Sequence, residues 1–320
     1  MSFNWCFIGT GKIARKVAKQ VMTIEGHKIV AVYNRTKEKA LSFANIYHSK
    51  VYDTALEAIK DPDVDGVYIA TTNDTHFSFA KLCLENKIPV LCEKPITGNA
   101  EEFKKLMALA KESNTFFCEA MWTWFNPVSL KVKEWLNSGR LGKIVSVDCR
   151  FTAPMLGYKK KNSRLSRLDQ YGGVLLDLGV YPVRYVYELF GKPRSIKTKG
   201  KLYHGVDVFN DSIFEYEGFN ARVLSRMNCF EGEYCLIKGE NGFIKVPFFH
   251  MANKAIIKDK NGKAIFKDNR VKYAYQFEKA AIDIKDDKKE SLISLDSSLD
   301  VMEIMDEIRK QLGVVYSCDQ

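Results

Sequence analysis

The sequence predicts an α/β protein of two domains, and three observations carry that prediction. The chain has 320 residues, more than one hydrophobic core usually organises. As far as about residue 123, short apolar runs alternate with helical stretches, the βαβ rhythm of a parallel sheet covered on both faces. Beyond that point, segments of alternating polarity dominate, the pattern of a mostly antiparallel sheet. The expected division is 1–123 and 124–320.

In the first part, strands are expected at 5–9, 28–33, 66–70, 89–92 and 115–118, and helices at 12–22, 36–45, 54–60, 76–86 and 101–113. In the second, a helix is expected over 128–138, closed by Gly139, and another over 173–190, closed by Gly191. Strands are expected at 145–150, 196–203, 211–217, 220–230, 233–238 and 243–246. A final amphipathic helix over 298–312 would turn Leu299, Met302, Ile304, Met305, Ile308 and Leu312 inward. No internal repeat or low-complexity linker interrupts the chain.

Composition narrows the function. Hydrophobic residues make up 46% and charged residues 28%, as in ordinary globular chains and unlike disordered ones. No apolar run approaches the roughly 20 residues of a membrane helix. The first strand follows Met1 with no basic segment, long apolar segment or cleavage site, so no signal peptide and no membrane association are expected. Cysteines at 6, 83, 92, 118, 149, 229, 235 and 318 form no CxxC pair, which argues against a zinc ribbon; no metal site is expected. They read as reduced, mostly buried thiols of a cytoplasmic protein. The net charge is 49 − 39 = +10, but the basic residues are scattered apart from Lys159-Lys160-Lys161 with Arg164 and Arg167. No nucleic-acid motif accompanies them, so nucleic-acid binding is not expected, and the lysine run reads as a solvated loop.

Chemistry-bearing residues fall into three groups. Gly9-Thr10-Gly11-Lys12-Ile13-Ala14 follows a strand and opens a helix. Glycines there let the backbone approach a diphosphate at the helix N-terminus, and Ala14 keeps helix and strand close. A Rossmann dinucleotide-binding domain is the expected context. The second strand ends at Tyr33-Asn34-Arg35-Thr36, where NAD-specific sites usually carry Asp or Glu. Asn34 can hydrogen-bond a ribose, and Arg35 can pair with a 2′-phosphate, which favours NADP while leaving NAD open.

The second group, Cys92-Glu93-Lys94-Pro95, follows a strand at the end where open α/β sheets bind ligands. Lys94 there can reach the nicotinamide or a substrate oxygen. The third runs from Gly172 to Pro182 and sets Asp177 and Tyr181 four apart on one helical face. A phenol is a poor base at its ordinary pKa of about 10, and a lysine ammonium beside it would lower that value. Lys94 with Tyr181 is therefore a candidate acid–base pair.

Taken together, these motifs resemble the Gfo/Idh/MocA family of glucose–fructose oxidoreductases and inositol dehydrogenases. The GTGKIA loop, the ATTNDTH segment from Ala70 to His76, the EKP triplet from Glu93 to Pro95 and the GGVLLDLGVYP stretch occur in the family's order. The likeness spans essentially the whole chain. Glu119-Ala120-Met121-Trp122 and the terminal Met305-to-Gln311 helix resemble the branch of dimeric dihydrodiol dehydrogenases and NADP-dependent xylose dehydrogenases. The resemblance implies a Rossmann domain followed by an α+β domain whose large, mostly antiparallel sheet keeps an open face that commonly forms a dimer interface. It places the catalytic lysine at Lys94, the helix carboxylate at Asp177 and the acid–base residue at Tyr181. Thr71, Thr72, Asn73 and His76 match the loop lining the nicotinamide side. Two positions depart from the pattern: Arg184 stands where many members have Asp, and Trp124 where the branch often has Arg. Both bear on the substrate pocket.

The expected function is an NAD(P)-dependent dehydrogenase acting on a CH–OH carbon of a sugar, polyol or trans-dihydrodiol, assembled as a homodimer or homotetramer. A catalytically silent cofactor-binding regulator on the same fold is the alternative.

Overall fold

The computed structural model describes residues 2–160, 163–270 and 272–320, and the chain forms two compact units. The first comprises residues 1–122 together with 271–299. In order it contains β1 (Phe3–Ile8), α1 (Lys12–Val21), β2 (His27–Tyr33), α2 (Lys37–Tyr47), β3 (Lys50–Val51), α3 (Ala55–Ile59), β4 (Gly66–Ile69), α4 (His76–Glu85), β5 (Val90–Glu93), α5 (Ala100–Ser113) and β6 (Phe117–Ala120). The six strands are parallel in the order β3-β2-β1-β4-β5-β6. Phe7, Ile8, Val67, Ile69, Val90 and Leu91 are fully buried, as expected of strands covered on both faces.

The second unit comprises residues 123–270 and 300–320. Helix α6 (Trp122–Phe125) leads into it, followed by α7 (Pro127–Asn137), β7 (Ile144–Thr152), α8 (Val180–Phe190), β8 (Ser195–Tyr203), β9 (Val206–Tyr216), β10 (Phe219–Arg226), β11 (Glu233–Gly239), β12 (Gly242–Pro247), β13 (Lys254–Asp259) and β14 (Gly262–Lys267). These strands form one eight-stranded sheet, β14-β13-β12-β11-β7-β10-β9-β8, antiparallel except for the β7–β10 pair. Helix α8 packs against β7 and β10, and α7 against β13 and β14. Val147, Cys149, Val223, Ile237 and Ile244 are buried, while Asp148, Arg150, Arg222 and Lys245 alternate with them. His204 and Gly205, both at positive φ, close the two-residue turn between β8 and β9, the geometry that matches strand twist.

Three expectations are corrected here. The stretch 124–320 is not one unit, because residues 271–299 join the first. They carry α9 (Ala274–Lys285) and the start of α10 (Leu295–Leu312). The physical reason is aromatic: Phe277 lies 4.9 Å from both Trp5 and Tyr68 by ring centroids, and 6.3 Å from Phe7. The helix expected over 173–190 begins with a π turn at Leu175–Gly179, and regular α geometry starts at Val180. A Cβ added at Gly179 would sit 2.8 Å from Ser225 Oγ, so the backbone runs tight against β10 at that turn. Strands β13 and β14 extend the sheet beyond the last strand expected. Lys159 and Lys160 are exposed, as expected of a solvated loop, and Lys161 lies outside the described residues.

Candidate active site

In the first unit, the pairs Ile8–Ile69, Ile69–Cys92 and Cys92–Glu119 mark the C-terminal edge of the sheet. Three segments leave that edge side by side: Gly9–Gly11, Ala70–Asn73 and Lys94–Pro95. The edge where the strand order reverses is where doubly wound sheets bind ligands.

The glycine loop is built for close approach. Gly9 has φ +97°, and a Cβ there would lie 2.6 Å from the Ala70 carbonyl oxygen. Gly11 is the N-cap of α1, with no side-chain cap, no acid in the first turn and no atom within 4 Å of an added Cβ. Thr10 is buried, and its Oγ1 has no hydrogen-bond partner among the described residues. Unmet first-turn amides beside an unmet hydroxyl fit an anionic diphosphate. Lys12 is exposed and Ile13 half-buried beside this loop.

At the end of β2, Asn34 takes a local role. Its Oδ1 accepts from Thr10 N at 3.2 Å, and its Nδ2 donates to Thr36 O at 3.0 Å. One end of the amide ties the glycine loop to the end of β2, and the other braces the turn into α2. Arg35 is exposed at the same corner.

After β4, Thr75 Oγ1 bonds Thr71 Oγ1 and the Thr72 carbonyl, each at 2.8 Å, and Asn73 is buried. His76 starts α4, fully buried, with Nδ1 2.8 Å from the Pro95 carbonyl. Burial pushes its pKa down to about 4, so the ring is neutral near pH 7. A carbonyl only accepts, which puts the proton on Nδ1. His76 therefore pins the loop that carries Lys94. Glu93, at the end of β5, is buried and accepts from Tyr68 OH at 2.5 Å. Burial raises its pKa to about 7, against the opposing pull of Tyr68 and Lys94. Lys94 is half-buried.

In the second unit, Asp177 lies in the π turn and Tyr181 at the start of α8. Single π turns are frequent at functional sites. Arg164 Nη2 donates to Asp177 Oδ1 at 2.7 Å. Tyr181 is buried against Phe151 and His250, at centroid distances of 5.8 and 5.5 Å. The turn is anchored by Asp207, whose Oδ2 accepts from Leu175 N at 2.8 Å and Asn210 Nδ2 at 3.0 Å. Burial raises the Asp207 pKa to about 6. The two departures have local partners: Arg184 is buried and pairs with Glu188 at 3.1 Å, and Trp124 meets Tyr185 edge-on at 5.8 Å.

Sequence reasoning did not find Arg164 beside Asp177, His250 beside Tyr181, Asp207 under the Leu175 amide or Glu233 beside His250. Arg164 entered only as part of the basic run, and the others had no local signal. No group of His, Cys, Asp and Glu able to hold a metal occurs among the described residues.

A parallel sheet of this order, with an open glycine-loop helix at its C-terminal edge, defines a dinucleotide-binding protein. Residues 3–120 match the oxidoreductase family with an NAD-binding Rossmann fold, Gfo/Idh/MocA, and residues 129–245 match that family's C-terminal domain. A trans-1,2-dihydrobenzene-1,2-diol dehydrogenase of Xenopus laevis is 32% identical, over 99% of this chain and 100% of that one. The scyllo-inositol 2-dehydrogenase (NADP(+)) of Bacillus subtilis is 29% identical, over 99% of each. A 3-ketoreductase from Actinomadura kijaniata, solved with NADP and TDP-benzene, shares the fold with a TM-score of 0.85 at 20% identity, over 97% of this chain and 98% of that one. The chain belongs to the Gfo/Idh/MocA family and is an NAD(P)-dependent oxidoreductase. The silent-regulator alternative is not favoured by relatives that are named as dehydrogenases.

Proposed function

We propose that the protein moves a hydride between NADP(H) and the carbinol carbon of a vicinal diol, polyol or sugar. The observation that carries this is Tyr181, a buried phenol one turn after the Asp177 carboxylate, in a chain where Lys94 directly follows β5. Thr10, the first turn of α1 and Arg35 would hold the cofactor, with Arg35 taking the 2′-phosphate. When bound, the nicotinamide supplies the hydride acceptor or donor. Tyr181 exchanges the hydroxyl proton, Lys94 supplies the positive charge that favours the phenolate, and Asp177 orients the substrate or the lysine. His76, Thr71, Thr72, Asn73 and Glu93 shape the nicotinamide side. Relatives named for a dihydrodiol and for scyllo-inositol support a substrate with adjacent hydroxyls.

The test is a Lys94→Met variant. It should bind NADPH as the wild type does while losing turnover; full turnover would remove Lys94 from the chemistry.

A homodimer, or a homotetramer built from it, is part of the same reading. On the side opposite its packed helices, one register line across the eight-stranded sheet sets Ile265, Ile256, Leu236 and Ile213 among Lys245, Asp148, Arg222 and Lys197, a mixed apolar and charged face. Sedimentation at micromolar concentration should give at least twice the chain mass. A cytoplasmic location fits six buried thiols, and no described helix is long and apolar enough to cross a membrane.

A further inference from the structure

In the eight-stranded sheet, the half formed by β11 to β14 carries only cations among the charged residues of its open face. They are Lys238, Lys245, Lys254, Lys258, Lys263 and Lys267, and all six are exposed. The acids of the same strands, Glu233 and Asp259, are buried on the opposite face with Ile237 and Ile257. Lys254 stands directly opposite Lys267, and Lys258 directly opposite Lys263, on either side of the Ile256–Ile265 pair. Like charges directly opposite each other destabilise a sheet. Lysines on β14 are accounted for as guards of an edge strand. Strands β11, β12 and β13 have neighbours on both sides, so their four lysines guard no edge. Lys245 lies 5.8 Å from the centroid of the Tyr234 ring, and none of the six pairs with a carboxylate among the described residues.

The other half of the face has no carboxylate to spare for them. Asp148 is held by Arg150, Asp211 by Arg222 at 2.8 Å, and Glu215 by Lys197 at 2.6 Å, all within that half. A two-fold dimer brings the same patch of each copy into one interface. Six lysines from each copy then enter it uncompensated, in a chain whose net charge is already +10. Ile256, Ile265, Leu236 and Ile213 favour the contact, and the lysines oppose it.

We infer that two copies assemble through this face only with polyvalent anions of the phosphate type between their lysines. The inference rests on the homodimer proposed above and makes its assembly anion-dependent. Bare faces repel each other, and simple salt relieves that repulsion only by screening. A polyvalent anion does more, because one ion meets ammonium groups of both copies.

Sedimentation velocity on the full chain, with inorganic tripolyphosphate as the probe, reads the effect. At an ionic strength of about 0.01 M, where the Debye length is about 30 Å, the monomer should dominate. At about 0.15 M, where it is about 8 Å, the dimer dissociation constant should be at least tenfold lower. Tripolyphosphate should lower it further than sodium chloride of the same ionic strength. A triple variant, Lys245→Gln with Lys254→Gln and Lys258→Gln, changes only exposed side chains. It should dimerise at the low ionic strength that keeps the wild type monomeric, and respond less to tripolyphosphate. A dimer equally stable at both ionic strengths, or one that dissociates as salt rises, would overturn the inference and leave the homodimer standing. So would tripolyphosphate no more effective than sodium chloride, or a triple variant no tighter than the wild type. A monomer in every condition would remove the homodimer and the inference together.

Discussion

The Arg164 guanidinium stands 2.7 Å from the Asp177 carboxylate, thirteen residues on in sequence, and joins the 3₁₀ turn at Arg164–Ser166 to the π turn at Leu175–Gly179. The link is backed by the main chain. Gly172 N bonds the Arg167 carbonyl and Gly173 N the Leu165 carbonyl, each at 2.9 Å. A Cβ at Gly172 would lie 2.5 Å from the Arg164 carbonyl oxygen, so the loop wraps the start of the helix directly.

Removing that guanidinium should therefore change function more than stability. The Arg164 side chain is 44% exposed, so Arg164→Met should alter stability by less than about 0.5 kcal/mol. Catalytic efficiency should fall roughly tenfold as Asp177 loses one charged hydrogen bond. Thermal melts beside steady-state kinetics separate the two; a large melting shift with unchanged kinetics would make the pair purely structural.

Thr10 offers the opposite signature. Its buried hydroxyl has no partner among the described residues, so Thr10→Val should leave the melting temperature of the cofactor-free protein unchanged or raised. NADPH affinity, read by fluorescence titration, should fall roughly tenfold if that hydroxyl meets a charged phosphate oxygen.

Glu93 gives a pH-dependent prediction. Its carboxyl rises from the ordinary 4.5 to about 7 in the folded chain, so the folded state holds its proton more tightly than the unfolded one. The contribution is fully present below pH 4.5 and is lost as pH rises through about 7. Glu93→Gln keeps an acceptor for Tyr68 and cannot ionise. Its stability relative to wild type should therefore grow from pH 5 to pH 8 by the order of 1–3 kcal/mol. Denaturant titrations across that range check it; a constant difference would contradict the buried-acid account.

In the proposed reading, cofactor choice rests on Arg35, because Asn34 is engaged at both ends by Thr10 and Thr36. Arg35→Ala should weaken NADP+ by roughly 10- to 100-fold and leave NAD+ unchanged. Equal losses for both nucleotides would move the discrimination elsewhere.

The first unit was the more legible one. Its strands are short apolar runs, and the glycine loop has strand and helix on either side, so local pattern and global fold agree. Asp177 and Tyr181 were legible because both belong to one helix. Their neighbours were not: Asp207 reaches Leu175 N, and Glu233 reaches His250, only through strand pairing far along the chain. Helix α9 did carry a signal, since Phe277, Ala280, Ala281 and Ile284 repeat at helical spacing. Nothing local says that Phe277 returns to Trp5 and Tyr68. In β13 and β14, the exposed lysines 254, 258, 263 and 267 share a face with Ile256 and Ile265, which blurs the alternation against Ala255, Ile257, Ala264 and Phe266 on the other face.

The most direct test of the proposed chemistry follows the reduced-nicotinamide absorbance band while wild type, Lys94→Met and Tyr181→Phe act on a panel of polyols, aldoses and trans-diols with NADP+. The account predicts turnover by the wild type on at least one vicinal diol. Both variants should lose about 100-fold or more in kcat, as removal of a general acid–base group does, with NADPH affinity retained. Tight NADPH binding without turnover on any compound, or full turnover by either variant, would contradict it.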